Sequence, residues 1–135
     1  PATKFVAEFI GSPSMNMLPA KFADAGLHAN GTSLPLDSAR LPQLRGHAQR
    51  EWIYGLRPEA VSFSDQGMPG SIAMIEPTGP ETYAKVETAA GMVVARVPGK
   101  LAGRVGDAVR LAWQADQAHL FDSSTDKRLT EDSPA

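Results

Sequence analysis

Apolar residues recur along the chain with two periods, and the change between them falls at Gly11 to Pro13. Before it, Phe5, Val6, Phe9 and Ile10 repeat at helical spacing behind Thr3, a residue suited to capping a helix start. Gly11 suits the position just past a helix end, and Pro13 forbids continuation. A helix of roughly eight residues is marginal alone in water, so this stripe implies a partner surface, with Phe5 and Phe9 as candidate interface residues. After Pro13 the pattern alternates. Met15, Met17 and Phe22 open strand territory, and Leu27, Ala29, Thr32, Leu34 and Leu36 flank Asn30-Gly31, the strongest short hairpin signal.

Residues 37–51 carry Arg40, Arg45, His47 and Arg50 among small polar residues and predict a loop with a short strand. A strand starts at Trp52-Ile53-Tyr54 and ends at Gly55 or soon after, and Pro58 disfavours helix at Arg57. Turn formers fill 64–70, the best internal boundary. Ser71 to Ile75 predicts a mostly buried strand. Gly79-Pro80 turns the chain into a return strand in which Thr82, Ala84, Val86 and Thr88 alternate with Tyr83, Lys85 and Glu87. Further strands are predicted at Met92 to Val97, at Val109 to Trp113 and at His119 to Phe121, before a polar tail over 130–135. Many short strands spaced by about ten residues predict an all-β barrel or sandwich.

Four ordered stretches carry a family resemblance. Phe9 to Leu18 resembles the junction between the ATPase domain and the C-terminal regulatory domain in ATP-binding subunits of sugar-import ABC transporters, the maltose and glycerol-3-phosphate type. Tyr54-Gly55-Leu56-Arg57-Pro58-Glu59 resembles that family's Gly-Ile-Arg-Pro-Glu signature, and Glu76 to Thr82 its Glu-x-Leu-Gly-x-Glu-Thr turn. His119-Leu120-Phe121-Asp122 with Thr125 to Leu129 resembles its closing motifs; Thr78, Pro80 and Asp126 depart from the usual residues at turns.

The resemblance implies oligonucleotide-binding-like (TOBE-type) β-barrels of short antiparallel strands, in which a late strand returns to complete the first. It implies that 1–13 end an ATPase domain and that 14–129 form the regulatory barrel, to which the turn formers add an internal division near 64–70 and the polar composition a disordered tail over 130–135. It further implies a regulatory and dimerisation role in a carbohydrate or glycerol-3-phosphate importer, helping to couple ATP hydrolysis to transport. The implied partners are a twin copy, the subunit's own ATPase domain, the membrane-spanning permease subunits and a regulatory protein. The implied location is cytoplasmic, peripheral to the inner membrane. ATP and Mg would belong to the parent subunit, with no cofactor in this segment.

Composition narrows the chemistry. Among 135 residues, 42% are hydrophobic, enough for a core, and 12 Gly with 11 Pro suit a turn-rich β domain. Absence of Cys excludes disulfides and thiolate sites. A net charge of -2 provides no basic footprint for nucleic acid. Apolar runs fall well short of the roughly 20 residues of a spanning helix, and no charged-then-apolar leader opens the sequence. The expectation is a soluble domain that meets a membrane only through a partner.

The phosphate-cradling loop needs Gly, four residues, then Gly-Lys-Ser/Thr. The single Gly-Lys pair, Gly99-Lys100, is followed by Leu101 and preceded by Val94 where the first Gly belongs. ATP hydrolysis by this segment is therefore not expected, and ATPase elements are expected upstream of Pro1. No Gly-x-Ser-x-Gly elbow occurs, and His28, His47 and His119 lack metal-ligand spacing; no catalytic or metal residue is assigned. Asn30-Gly31-Thr32 fits a glycosylation pattern but is read as the hairpin turn.

Trp52 and Trp113, flanked by alternating apolar residues, are read as core. Arg57 and Glu59 are candidate interface residues; otherwise they make a local ion pair across a rigid Pro58 bend, of little worth if exposed. The alternative to the importer reading is a small-ligand barrel sensing an anion or metabolite, with Arg40, Arg45 and Arg50 supplying positive charge.

Overall fold

The computed structural model describes residues 15–23, 26–46 and 51–122, together with the backbone of 128–129. The Phe5 and Phe9 stripe, His47, Arg50 and the 130–135 tail lie outside these residues. Among the described residues, eleven strands form two antiparallel sheets. In chain order they are β1 (Asn16–Ala23), β2 (Gly26–Ala29), β3 (Thr32–Leu34), β4 (Glu51–Leu56), β5 (Ser62–Ser64), β6 (Met68–Pro77), β7 (Glu81–Thr88), β8 (Gly91–Pro98), β9 (Ala108–Ala112), β10 (His119–Asp122) and β11 (Arg128–Leu129). The first sheet runs β11-β10-β4-β1-β2-β3 and the second β5-β9-β6-β7-β8. This is the all-β, oligonucleotide-binding-like architecture, with the late strand β10 returning to β4.

The hairpin forms where the sequence places it. Asn30 and Gly31 adopt φ of 49° and 80°, and Ala29 pairs with Thr32. Positive φ at both central residues matches the right-handed twist of the flanking strands. The Asn30 amide also donates to Ala89 O at 2.8 Å, tying this first-sheet turn to the β7–β8 turn of the second sheet.

Residues 37–46 differ from expectation, while 47–50 lie outside the described residues. Instead of a loop with a strand, Ser38–Arg40 form a 3-10 turn that runs into a short helix, α1 (Leu41–Gly46). The Asp37 carboxylate accepts from Ala39 N–H at 3.1 Å, which starts the turn, and Leu44 is fully buried. Six residues are too few for periodicity to reveal a helix.

Strand β4 lies between β1 and β10 in the sheet, and side-chain packing buries both of its faces from Trp52 to Leu56. Trp52, Tyr54 and Leu56 enter the main core, while Ile53 joins Met15 and Phe121 in a smaller cluster opposite. Gly55 sits in that strand because a Cβ there would stand 2.6 Å from Met15 Sδ and 2.7 Å from Phe121 Cε2. The main core takes residues from both sheets, among them Leu18, Leu27, Ile72, Val86, Val93, Leu111 and Leu120.

The strand at Ser71 to Ile75 exists, within β6, but it is mostly exposed rather than mostly buried; Ile72 alone of those five is buried. The register shifts between Ile72 and Met74. Such a bulge breaks the alternation and bends the strand. Beyond Ser71, β6 keeps a ladder with β7 only. Residues 68–70, placed by sequence in a boundary segment, are the first residues of β6, and the chain leaves the first sheet earlier, after Leu56.

Asn16, at the start of β1, joins the sheets directly. Its side chain is buried and makes three main-chain hydrogen bonds: Nδ2 donates to Leu56 O at 3.0 Å and to Val94 O at 2.9 Å, and Oδ1 accepts from Val94 N–H at 2.7 Å. The amide thus pairs with one residue of β8 as a neighbouring strand would.

Candidate interaction surface

Arg57 leaves β4 in extended conformation, and Pro58 starts a 3-10 turn, Pro58–Ala60. Ala60 N–H donates to Arg57 O at 3.0 Å, and Val61 N–H to Pro58 O at 3.2 Å. Pro58 is buried, so the bend is held by packing as well as by its ring. The turn lies along β8, the edge strand of the second sheet.

The charges here do not pair with each other. Glu59 reaches Arg96 of β8 (Oε1 to Nη2 3.8 Å), and Arg96 Nε also meets Glu81 Oε2 at 3.2 Å. The expected Arg57–Glu59 ion pair is replaced because the turn rests against β8, which supplies a cation from a distant part of the sequence. A hydrogen bond with the Tyr83 side chain is the main cause holding Arg96 further towards its charged form, reinforced by the Glu59 and Glu81 carboxylates. These groups are solvated, and the pairs add little stability. Arg57 and Glu59 together line a cleft of about 220 Å³ with Ala60, Gln117 and His119.

Around this cluster the outer face of β6, β7 and β8 carries Met74 and Met92, each 46% exposed, with Lys85 opposite Met74 and Glu87 opposite Met92. The surface is therefore a mixed one: two large apolar side chains beside charged ones. Such a composition suits contact with another protein surface rather than chemistry on a substrate.

The remaining candidates resolve as structure. Trp52 is buried. Trp113 is half-buried, and its Nε1–H donates to Tyr54 Oη at 2.8 Å; that hydroxyl donates to Pro35 O at 2.6 Å. Burial pushes the Tyr54 phenol up to about 12, against opposing effects of the Trp113 bond and the Arg40 charge. His28 Nε2 lies 3.2 Å from Ala23 O. Among the described residues no group of three or more His, Asp or Glu side chains is placed to hold a metal, and no helix is long and apolar enough to cross a membrane. Among the described residues Arg40 has two buried guanidinium nitrogens, Nε and Nη1, without a hydrogen-bond partner, whereas Arg45 is exposed.

Sequence reasoning missed Asn16 and Arg96. Each works through a partner far away in the sequence, and neither belongs to a local pattern that periodicity detects.

Comparison with known proteins agrees with this architecture. Residues 54–121 match the TOBE domain model and residues 11–61 the MalK OB fold domain model. The chain is 38% identical over 133 residues to the sn-glycerol-3-phosphate import ATP-binding protein UgpC of Cereibacter sphaeroides, covering 96% of this chain and 36% of that protein. It is 39% identical over 133 residues to an uncharacterized ABC transporter ATP-binding protein, y4oS, of Sinorhizobium fredii (96% and 35% covered).

Against the sulfoquinovosyl glycerol transport ATP-binding protein SmoE of Agrobacterium fabrum, identity is 30% over 134 residues (96% and 37% covered). The chain thus spans about a third of the length of these curated relatives. Among solved structures, the cytoplasmic molybdate-binding protein ModG, with molybdate bound, superposes with a TM-score of 0.60 at 16% identity over 78% of this chain and 94% of ModG; this likeness concerns the fold. With one model matching half of its length and a second matching residues 11–61, which hold β1 to β4, the chain belongs to the TOBE-domain family, built on a MalK-type OB fold.

Proposed function

We propose that this chain is the regulatory and dimerisation part of the ATP-binding subunit of an ABC importer for a carbohydrate or glycerol-3-phosphate. The observation that carries the reading is near-complete coverage of this chain by import ATP-binding proteins, of which it spans about a third. ATP and Mg bind elsewhere in such a subunit, since the phosphate-loop pattern is absent from these residues. Permease subunits and the subunit's own ATPase domain are the remaining partners, and the location is the cytoplasmic side of the inner membrane.

The role is mechanical. Two copies held together keep their ATPase domains at high effective concentration while these close on ATP and reopen. A regulatory protein that binds one arrangement better shifts the population towards it. The surface around Arg57, Glu59, Met74 and Met92 is our candidate for these contacts. In the full subunit with its permeases, Arg57→Ala with Glu59→Ala should lower transport-coupled ATP hydrolysis at unchanged melting temperature, because exposed charges contribute little to folding. Sedimentation of the 135-residue chain should give a dimer. Unaltered coupling together with a strict monomer across the micromolar range would refute the proposal.

A second reading, an anion-sensing barrel, draws on the ModG-like fold and on the two guanidinium nitrogens of Arg40 that have no partner among the described residues. Calorimetry with molybdate, sulfate and phosphate separates it from the first, and loss of any heat in Arg40→Gln would place the anion there.

A further inference from the structure

A cleft of about 470 Å³ lies between the two sheets, away from the Arg57 turn. Its volume falls within the range of roughly 300–1,000 Å³ common to small-molecule sites. The first sheet contributes one wall through Thr32, Ser33 and Pro35, and the second sheet contributes the other through the β5–β6 turn and the end of β9. Leu111 and Met68, both buried, form an apolar base. Trp113 stands at the side. Its indole N–H is committed to Tyr54 Oη, and Tyr54 to Pro35 O, so hydrogen bonds on both sides of the phenol hold the ring and the opposite wall in register.

The polar groups on this cleft are hydroxyls and one carboxamide. Ser64 Oγ accepts from Gln66 N–H at 3.2 Å, which leaves its own O–H to donate. Ser33 and Gln66 are exposed, and their side chains provide a donor and acceptor pair from opposite sheets. Among the described residues no ionisable side chain lines the cleft. Arg110, adjacent on β9, directs Nη1 to Gly67 O at 3.0 Å.

We infer that this inter-sheet cleft binds a small neutral polyhydroxylated molecule, a monosaccharide or disaccharide. An aromatic face beside hydroxyl and amide groups matches a sugar ring, which presents apolar C–H patches and a rim of hydroxyls. The uncharged lining discriminates against oxyanions, which need fixed positive charge or clustered N–H donors on leaving water. The ligand touches both sheets, so it stabilises their mutual arrangement. This inference goes beyond the importer reading and does not depend on it.

The test is calorimetry and thermal melting of the 135-residue chain with glucose, maltose, sorbitol and glycerol, and with sn-glycerol 3-phosphate and molybdate as charged comparisons. Glucose or maltose should give saturable heat and raise the melting temperature, with affinity unchanged when salt is increased, as a neutral ligand requires. Ser33→Ala combined with Gln66→Ala should weaken binding about tenfold, the loss of one to two hydrogen bonds. Both residues are exposed, so that variant keeps its fold even if Trp113→Phe does not. The inference is overturned by no saturable heat from any of the four neutral probes, by neutral binding that the double variant leaves intact, or by binding of the charged probes alone.

Discussion

Removing the Asn16 side chain should separate the two sheets energetically more than any other single polar substitution. Asn16→Ala deletes three buried hydrogen bonds, two with the Val94 main chain and one to Leu56 C=O. At a net ~0.5–1.5 kcal/mol each, with no water able to replace the amide without entering a buried site, the loss is about 2–4 kcal/mol. For a domain of this size that corresponds to a fall of roughly 8–15 °C in melting temperature. Asn16→Leu, of similar volume, should cost as much, because the loss lies in the polar groups.

Asn16→Asp makes a sharper test. It keeps an acceptor for Val94 N–H but replaces the donor with a second oxygen facing two carbonyls. Burial and those carbonyls favour the protonated carboxyl, so the folded-state pKa of the new group rises above its unfolded value. The native state then holds a proton that the unfolded state releases, and stability falls as pH rises through that interval. The deficit of Asn16→Asp relative to the parent protein should therefore shrink from neutral pH towards pH ~4.5, while that of Asn16→Ala stays constant. Urea denaturation followed by far-ultraviolet circular dichroism at both pH values checks this. An Asn16→Ala midpoint indistinguishable from the parent, or an Asn16→Asp deficit independent of pH, refutes the strand-like role of the amide.

Gly31→Val should cost at least ~1 kcal/mol, because a β-branched residue is forced to φ of 80°; with nothing within 4 Å of the added Cβ, Gly31→Asn should be nearly neutral in the same melt. Gly55→Ala should lose about 1–3 kcal/mol through overpacking on Met15 and Phe121, and part should return when Met15→Ala is added; equal loss in both backgrounds would count against that contact. Tyr54, neutral when folded up to about 12 but ionising near 10.0 when unfolded, should make stability decline as pH rises from about 10 to about 12, by at most ~2–3 kcal/mol. Denaturation midpoints of Tyr54→Phe across that range should lack this slope.

Much of the fold was legible because its signals are local. Asn30-Gly31 announces a turn by itself, and the alternation of Thr82, Ala84 and Val86 with Tyr83, Lys85 and Glu87 fixes which face of β7 is buried. What escaped was non-local. The α1 helix is a single turn and a half whose Leu44 is drawn inward by the core, and the exposure of β6 follows from a bulge and from the early end of its ladder with β9. The candidate surface was half legible: Pro58 marks the bend, but Glu59 finds its cation on β8, 37 positions along by the numbering of Glu59 and Arg96. The inter-sheet cleft left no trace in the sequence, since its walls come from four separate strands and their flanking turns.

The pairing of β10 with β4 has a further consequence. Gly55 lies directly opposite His119 in the ladder, so the residues that begin and end the intervening segment are neighbours roughly 5 Å apart. All of the second sheet is threaded through that narrow gate. In covalent terms the second sheet is an insert between Leu56 and His119, although the main core draws residues from both sheets and so holds the insert in place. No contiguous cut at a single position, by contrast, releases the first sheet intact.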